Sequence, residues 1–269
     1  MKLCDYIENL WQEGDTKAWA ADAISGMMHF VPQLRGQLRG AGRLMKAWGT
    51  LELPDRAPPL TTGFVTALAG AALSEGSFRM CVILLLGFHA LLRTGELLQV
   101  RAQHIVFQAG HPTALLTLPT TKSGQRLRNV PESVTITDPT LLDYLAVLLP
   151  RLWPGELIFP GGDHAFRVGF PRICQSAHLP ALDWKPYSLR RGGATAHFLQ
   201  YGSLDRTAIR GRWQNQRTAR IYIDEGVAIL AGIRATTQQE KHIRRLANLV
   251  VEPKNIRSVG RQGTLAALL

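Results

Sequence analysis

The chain has few cysteines, no long apolar run and almost no acid in part of its C-terminal third. Cys4, Cys81 and Cys174 are odd in number, widely spaced and in no ligand pattern. That excludes a disulfide framework or a cysteine zinc site and points to a reducing, intracellular compartment. The eight histidines show no paired ligand spacing either, so no metal is expected. The longest largely apolar stretch, residues 80–92, is 13 residues long. That is too short to cross a bilayer and predicts a buried helix in a soluble protein. Asp5, Glu8, Glu13 and Asp15 interrupt the start of the chain, so no secretory signal is expected.

What is present is positive charge on a sizeable apolar background. Hydrophobic residues make up 46% of the 269, enough for one large domain with a smaller companion. Lys and Arg number 31 against 20 Asp and Glu, a formal charge of +11. The excess is concentrated. Residues 185–220 hold eight bases and a single acid, Asp205, and residues 231–269 hold seven bases and two acids. Ordinary solvated helix faces would spread acids through the same helices. A one-sided, arginine-rich surface instead suits phosphate oxygens, which the guanidinium fork grips through two hydrogen bonds. DNA or RNA is the expected partner, and no membrane.

Helical periodicity opens the chain, with Leu3, Ile7, Leu10 and Trp11 on one face. Gly14-Asp15 breaks it; a second helix is expected over 16–30 and a third after Pro32, through Trp48. Pro54, Pro58 and Pro59 then mark an extended linker over 51–60. Residues 61–98 predict two helices, the second running into the cluster Arg93-Thr-Gly-Glu96. Residues 104–108, 113–118 and 126–130 predict three short antiparallel strands, with Lys122 at a hairpin turn. Helices resume at Pro139. The expected fold class is mainly α with a small antiparallel β-sheet (α+β). A helical segment at 1–50 precedes a main domain at 61–230, and residues 231–269 form a C-terminal helix and a tail poorly ordered beyond Pro253.

Four features put bases or donors at element ends. Arg93 follows Leu91-Leu92, and a guanidinium after so much apolar chain needs a partner. Glu96, three residues on, shares its helix face; the plainer alternative is a structural salt bridge. Lys122, on a glycine-containing hairpin tip, either enters a ligand groove or is an exposed turn lysine. Tyr187-Ser-Leu-Arg190-Arg191-Gly-Gly-Ala-Thr195 opens a helix after Pro186. Two arginines there oppose the helix dipole, which an anionic partner offsets, and the glycines admit a backbone or a ligand. Last, Trp213 and Tyr222 flank Arg217 and Arg220, with Arg212 just before. A phenol held among guanidiniums is suited to attack a phosphodiester.

Together these features resemble the tyrosine recombinases, the phage-integrase family of DNA breaking and rejoining enzymes. The resemblance covers roughly residues 61–225, and residues 1–50 resemble the end of the family's core-binding (SAM-like) domain. Ala90-Leu-Leu-Arg93-Thr-Gly-Glu96 is similar to the segment with the first catalytic arginine and its supporting acid, Glu96. Thr121-Lys122-Ser-Gly is similar to the hairpin of the catalytic lysine, and Tyr187-Ser-Leu-Arg190 falls on the family's His-x-x-Arg motif. Trp213 occupies the place of a late His or Trp, and Tyr222 that of the nucleophile. The separations also look like the family's: 29 residues from Arg93 to Lys122, 68 to Arg190 and 32 to Tyr222. The run Leu189-Arg-Arg-Gly-Gly-Ala-Thr195 looks more like variants carried by eukaryotic mobile elements, which would place the protein in a nucleus.

The resemblance implies that Tyr222 forms a 3′-phosphotyrosyl link and releases a 5′-hydroxyl. The phosphodiester energy is conserved, and neither ATP nor a metal cofactor is implied. Arg93 and Arg190 would grip the phosphate, Trp213 would donate its indole N–H, and Lys122 would protonate the leaving oxygen. Arg212, Arg217 and Arg220 would contact the backbone of double-stranded DNA, and Arg191, at the place of the family's second histidine, would contact that backbone or be structural. A homo-oligomer, a tetrameric synapse in the family, would form on DNA, with a C-terminal helix docking on a neighbour. The departure is Tyr187, where most members have histidine; tyrosine is a poor base at pH 7. His197 is a conceivable substitute, a core or surface histidine the plainer reading. Three activities stay open: DNA integration or recombination, DNA binding by a catalytically impaired relative, and type IB topoisomerase-like relaxation.

Overall fold

The computed structural model describes residues 3–51, 56–118 and 131–251. The chain divides into two compact units, Met1–Arg56 and Ala57–Leu269. Lys122, the strand expected over 126–130 and the tail beyond residue 251 lie outside the described residues.

The described residues of the first unit hold three α-helices, α1 (Leu3–Gln12), α2 (Lys17–Phe30) and α3 (Arg39–Leu51), with a 3-10 turn at Pro32–Leu34. The amphipathic spacing of α1 turns Ile7 and Leu10 inward, where Ala20, Ala41 and Trp48 meet them. Gly14, with φ of 76°, supplies the left-handed turn after α1.

The second unit is built on two largely buried helices, α4 (Thr62–Ser74) and α5 (Phe78–His89). The Thr61 hydroxyl caps α4 by accepting from the Phe64 N–H at 3.2 Å. α4 is rich in small residues, and a Cβ on Gly70 would lie 2.0 Å from the Leu246 carbonyl oxygen. Only glycine therefore lets the last helix pack this closely. The stretch expected to dock on a neighbour is two helices, α12 (Glu225–Ile233) and α13 (Thr237–Val251). The second of them lies on α4 of its own chain, burying Ile243, Leu246 and Val250.

α5 ends earlier than the sequence suggests. Ala90 closes it, Leu91 turns left-handed at φ 51°, and Arg93 caps a separate short helix, α6 (Thr94–Leu97). Arg93 is therefore presented by a turn, not by a continuing helix. Three antiparallel strands follow in the order β1 (Ile105–Phe107), β2 (Ala114–Leu118) and β3 (Glu132–Ile136). Ile105 pairs with Leu116 and Leu116 with Val134, so the buried positions share one face. β3 falls outside the strands that the sequence pattern predicts, although Val134 and Ile136 alternate inward in it.

Next come α7 (Pro139–Leu148), α8 (Gly162–Ser176), α9 (Tyr187–Tyr201), α10 (Leu204–Gly211) and α11 (Gln216–Tyr222). α9 passes through the middle of the unit, and its paired glycines make that possible. A Cβ on Gly192 would meet the Leu60 carbonyl oxygen at 2.1 Å, and one on Gly193 the Phe88 carbonyl oxygen at 2.1 Å. The close approach expected at these glycines is thus of backbone. Among the described residues no helix is long and apolar enough to cross a membrane.

Candidate active site

Three segments converge: the turn after α5, the N-terminal half of α9, and the α10–α11 connection with the end of α11. Arg190 lies at the centre, with its side chain 0% exposed. It donates to the Leu91 carbonyl and, at 2.7 Å, to the Gly211 carbonyl. Both acceptors stand at left-handed residues, Leu91 itself and Arg212 just after Gly211. The Arg190 guanidinium carbon lies 4.7 Å from the Trp213 ring centroid and 5.3 Å from that of Tyr222. Those aromatic rings cover the cation. Burial, with Arg93 and Arg212 nearby, pulls Arg190 down to about 10, so it stays charged at neutral pH.

Glu96 is the common acid. Its buried carboxylate accepts from the Arg93 backbone N–H at 3.0 Å and from Arg93 Nη1 at 2.5 Å. It also accepts from Arg212 Nη2 at 2.6 Å and lies 3.9 Å from Arg190 Nη1. Burial alone would raise its pKa, but Arg212 and Arg93 outweigh burial and hold the carboxyl below its usual range. The i, i+3 partnership expected of Arg93 and Glu96 is therefore present, in a hub that also takes in Arg212.

Tyr222 is the last residue of α11, which starts at the Asn215 cap. The Asn215 side chain accepts from the Thr218 N–H at 2.8 Å. The Tyr222 ring centroid lies 4.5 Å from that of Trp213 and 5.6 Å from that of Tyr187. Burial pushes the Tyr222 phenol up, but Tyr187, the Arg190 guanidinium, the Trp213 indole N–H and Arg93 together overcome this and hold it low. Tyr187 is pushed the other way, by burial and by that same hydrogen bond. Trp213 is buried, and its indole N–H acts on the Tyr222 phenol without forming a well-aligned hydrogen bond. Its ring packs on Gly211, where an added Cβ would sit 2.0 Å from it. The Gly-Arg-Trp run is the signal for this packing, and charge and spacing alone do not single out Gly211.

The remaining arginines divide in two. Arg217 and Arg220 are exposed on α11, open to a partner. Arg191 and Arg212, named with them as candidate DNA contacts, have side chains buried against carboxylates of the protein. The Arg212 side chain is 6% exposed and lies between Glu96 and Glu132, its Nε 3.2 Å from the Glu132 carboxylate, an ion pair without hydrogen-bond alignment. Arg191 is buried against the Ala57 carbonyl and Asp224. Carboxylates far away in sequence drew both inward. His197 bonds Thr207 Oγ1 at 3.0 Å and packs on Tyr201; burial, with Arg210 and Arg206, lowers its pKa. Among the described residues no group of three His, Cys, Asp or Glu side chains is placed to hold a metal ion.

No protein-family profile matches the chain, and no curated protein is similar to it in sequence. Solved structures are similar in fold. The XerA recombinase shares 16% identity and a TM-score of 0.52, over 87% of this chain and 90% of its own. Two structures of the XerH site-specific recombinase, a pre-cleavage complex with difH and a post-cleavage complex with palindromic difH, share 15% identity and a TM-score of 0.47. Each match covers 67% of this chain and 54% or 55% of the XerH chain, so the chain spans about half the XerH length. By its similarity to XerA across most of both chains, this mainly helical protein with its small antiparallel sheet has the tyrosine-recombinase fold.

Proposed function

We propose that the protein is a DNA strand-cleaving and rejoining recombinase that works through a 3′-phosphotyrosyl intermediate. The observation that carries this reading is the setting of Tyr222. It is a half-buried phenol whose ring lies 5.3 Å from the Arg190 guanidinium carbon, 4.5 Å from the Trp213 ring and 5.6 Å from the Tyr187 ring, and Tyr187, Arg190 and Trp213 all lower its pKa. An incoming phosphate oxygen would give the Trp213 indole N–H a well-aligned acceptor. The Tyr222 oxygen attacks phosphorus as its proton passes to solvent, the P–O5′ bond breaks, and the 5′-oxygen takes a proton from Lys122. The reverse attack by a 5′-hydroxyl rejoins the strand. Arg93, one-quarter exposed, meets the phosphate directly. Arg190, beneath the Tyr222 and Trp213 rings, reaches it as the Tyr222 ring moves outward. Lys122 has its role by resemblance of sequence.

Double-stranded DNA is the proposed substrate, held by Arg217 and Arg220. A homo-oligomer on DNA, by analogy a tetrameric synapse, is proposed from α12. There Ile229, Leu230 and Ile233 stand exposed directly after the nucleophile helix and fit a second copy. Two observations favour a second reading, a DNA-binding protein that no longer cuts: Arg190 is wholly covered, and a phenol stands at Tyr187 where a histidine would shuttle protons. Incubation with a nicked suicide duplex separates the two. Covalent protein–DNA adduct supports the recombinase, and duplex binding without adduct supports the second reading.

A further inference from the structure

We propose that Arg191 is a positioning residue for the nucleophile, locking the chain just beyond Tyr222 through Asp224. The inference rests on Tyr222 being the nucleophile. Tyr222 ends its helix, where backbone groups lose their intrahelical partners, and the following Ile223 is extended. What holds this exit comes from α9. Arg191 Nη2 lies 3.2 Å from Asp224 Oδ2, with the Arg191 side chain 3% exposed. The Asp224 N–H donates to Thr195 Oγ1 at 3.2 Å. That hydroxyl, one turn along α9 from Arg191, donates to the Arg191 carbonyl at 3.0 Å and lies 3.4 Å from the Tyr222 carbonyl oxygen. The other Asp224 oxygen caps α12 by accepting from the Val227 N–H at 3.2 Å. One aspartate thus ends the nucleophile helix, starts the next, and is gripped by a buried guanidinium.

The same guanidinium has a second anchor. Arg191 Nη1 donates to the carbonyl of Ala57, the first residue of the second unit. The chain there is stitched to α9 again where the Leu60 N–H donates to the Ser188 carbonyl at 3.2 Å, against the tight contact at Gly192. The two neighbouring arginines therefore hold the nucleophile from two sides. Arg190 lies beneath the Tyr222 ring, and Arg191 fixes the backbone that follows it. A solvated arginine bound to DNA would have neither the burial nor these two anchors.

Arg191→Ala would leave a buried cavity and an unpaired acid, so the informative variant is Asp224→Asn. It keeps an oxygen for the α12 cap and removes the charge that Arg191 grips. In full-length protein, amide hydrogen exchange over residues 216–224 is expected to rise about tenfold while α4 stays as in wild type, the loss of one charge-assisted bond. At saturating duplex, adduct formation is expected to slow by about tenfold with the duplex Kd within about twofold, and Asp224→Glu is expected to recover part of the rate. Unchanged exchange over 216–224, or adduct forming at the wild-type rate or faster, would overturn the proposal. Wild type giving no adduct would instead overturn the recombinase reading, while the exchange measurement would still decide whether Arg191 holds this segment.

Discussion

Arg212 sets its guanidinium 2.6 Å from the Glu96 carboxylate, and both side chains are nearly sealed from solvent. Because Arg93 donates to the same carboxylate, removing Glu96 strands buried positive charge. Glu96→Ala is expected to cost about 3–5 kcal/mol in urea denaturation, the range for breaking a buried pair. The Glu96 carboxyl is held below its usual pKa in the folded state. Its stabilisation is therefore fully present above the ordinary carboxylate range and is lost as pH falls through the folded value. Acid unfolding of Glu96→Gln should lack that component.

Tyr187 and Tyr222 should titrate as a pair, with the first proton lost from Tyr222, whose pKa is lowered while that of Tyr187 is raised. The rate of adduct formation should rise with pH, with a midpoint below the ordinary phenol value near ~10. Tyr187→Phe removes the hydrogen bond that supports the phenolate and should move this midpoint upward. A midpoint that stays in place would show that Tyr187 does not support the charge.

Gly192→Ala and Gly193→Ala each drive a Cβ to 2.1 Å from a backbone carbonyl oxygen. Backbone cannot yield cheaply, and a loss of about 1–3 kcal/mol is expected from thermal melts. Gly226→Ala, where nothing lies within 4 Å, is the control and should melt as wild type does.

If Arg217 and Arg220 are phosphate contacts, each alanine variant should lower the slope of log affinity against log salt by about 0.9. Fluorescence anisotropy across a salt series reads this directly. Arg212→Lys, at a buried arginine, should leave the slope unchanged.

The sequence makes some of this architecture legible and hides the rest. Apolar spacing reveals α1, and alternation reveals β1 and β2. Arg93 and Glu96 meet because three residues along a helix start bring them together. Leu91 gives no sign of its left-handed turn, since positive φ usually falls to glycine or asparagine. The partners of Arg212 are equally hidden: Glu96 and Glu132 come to it from distant segments through the fold of the turn and the sheet. An arginine beside a tryptophan among bases looks like a surface contact until those carboxylates appear. The same holds for Arg191, whose anchors, Ala57 and Asp224, lie 134 residues before it and 33 after it.

The role of Tyr222 is tested most directly by peptide mapping of the adduct formed on a nicked suicide duplex. The predicted result is a nucleotide bonded to the peptide carrying Tyr222, and no adduct from Tyr222→Phe bound to the same duplex. A covalent adduct that persists in Tyr222→Phe, or that maps to another residue, would contradict that role.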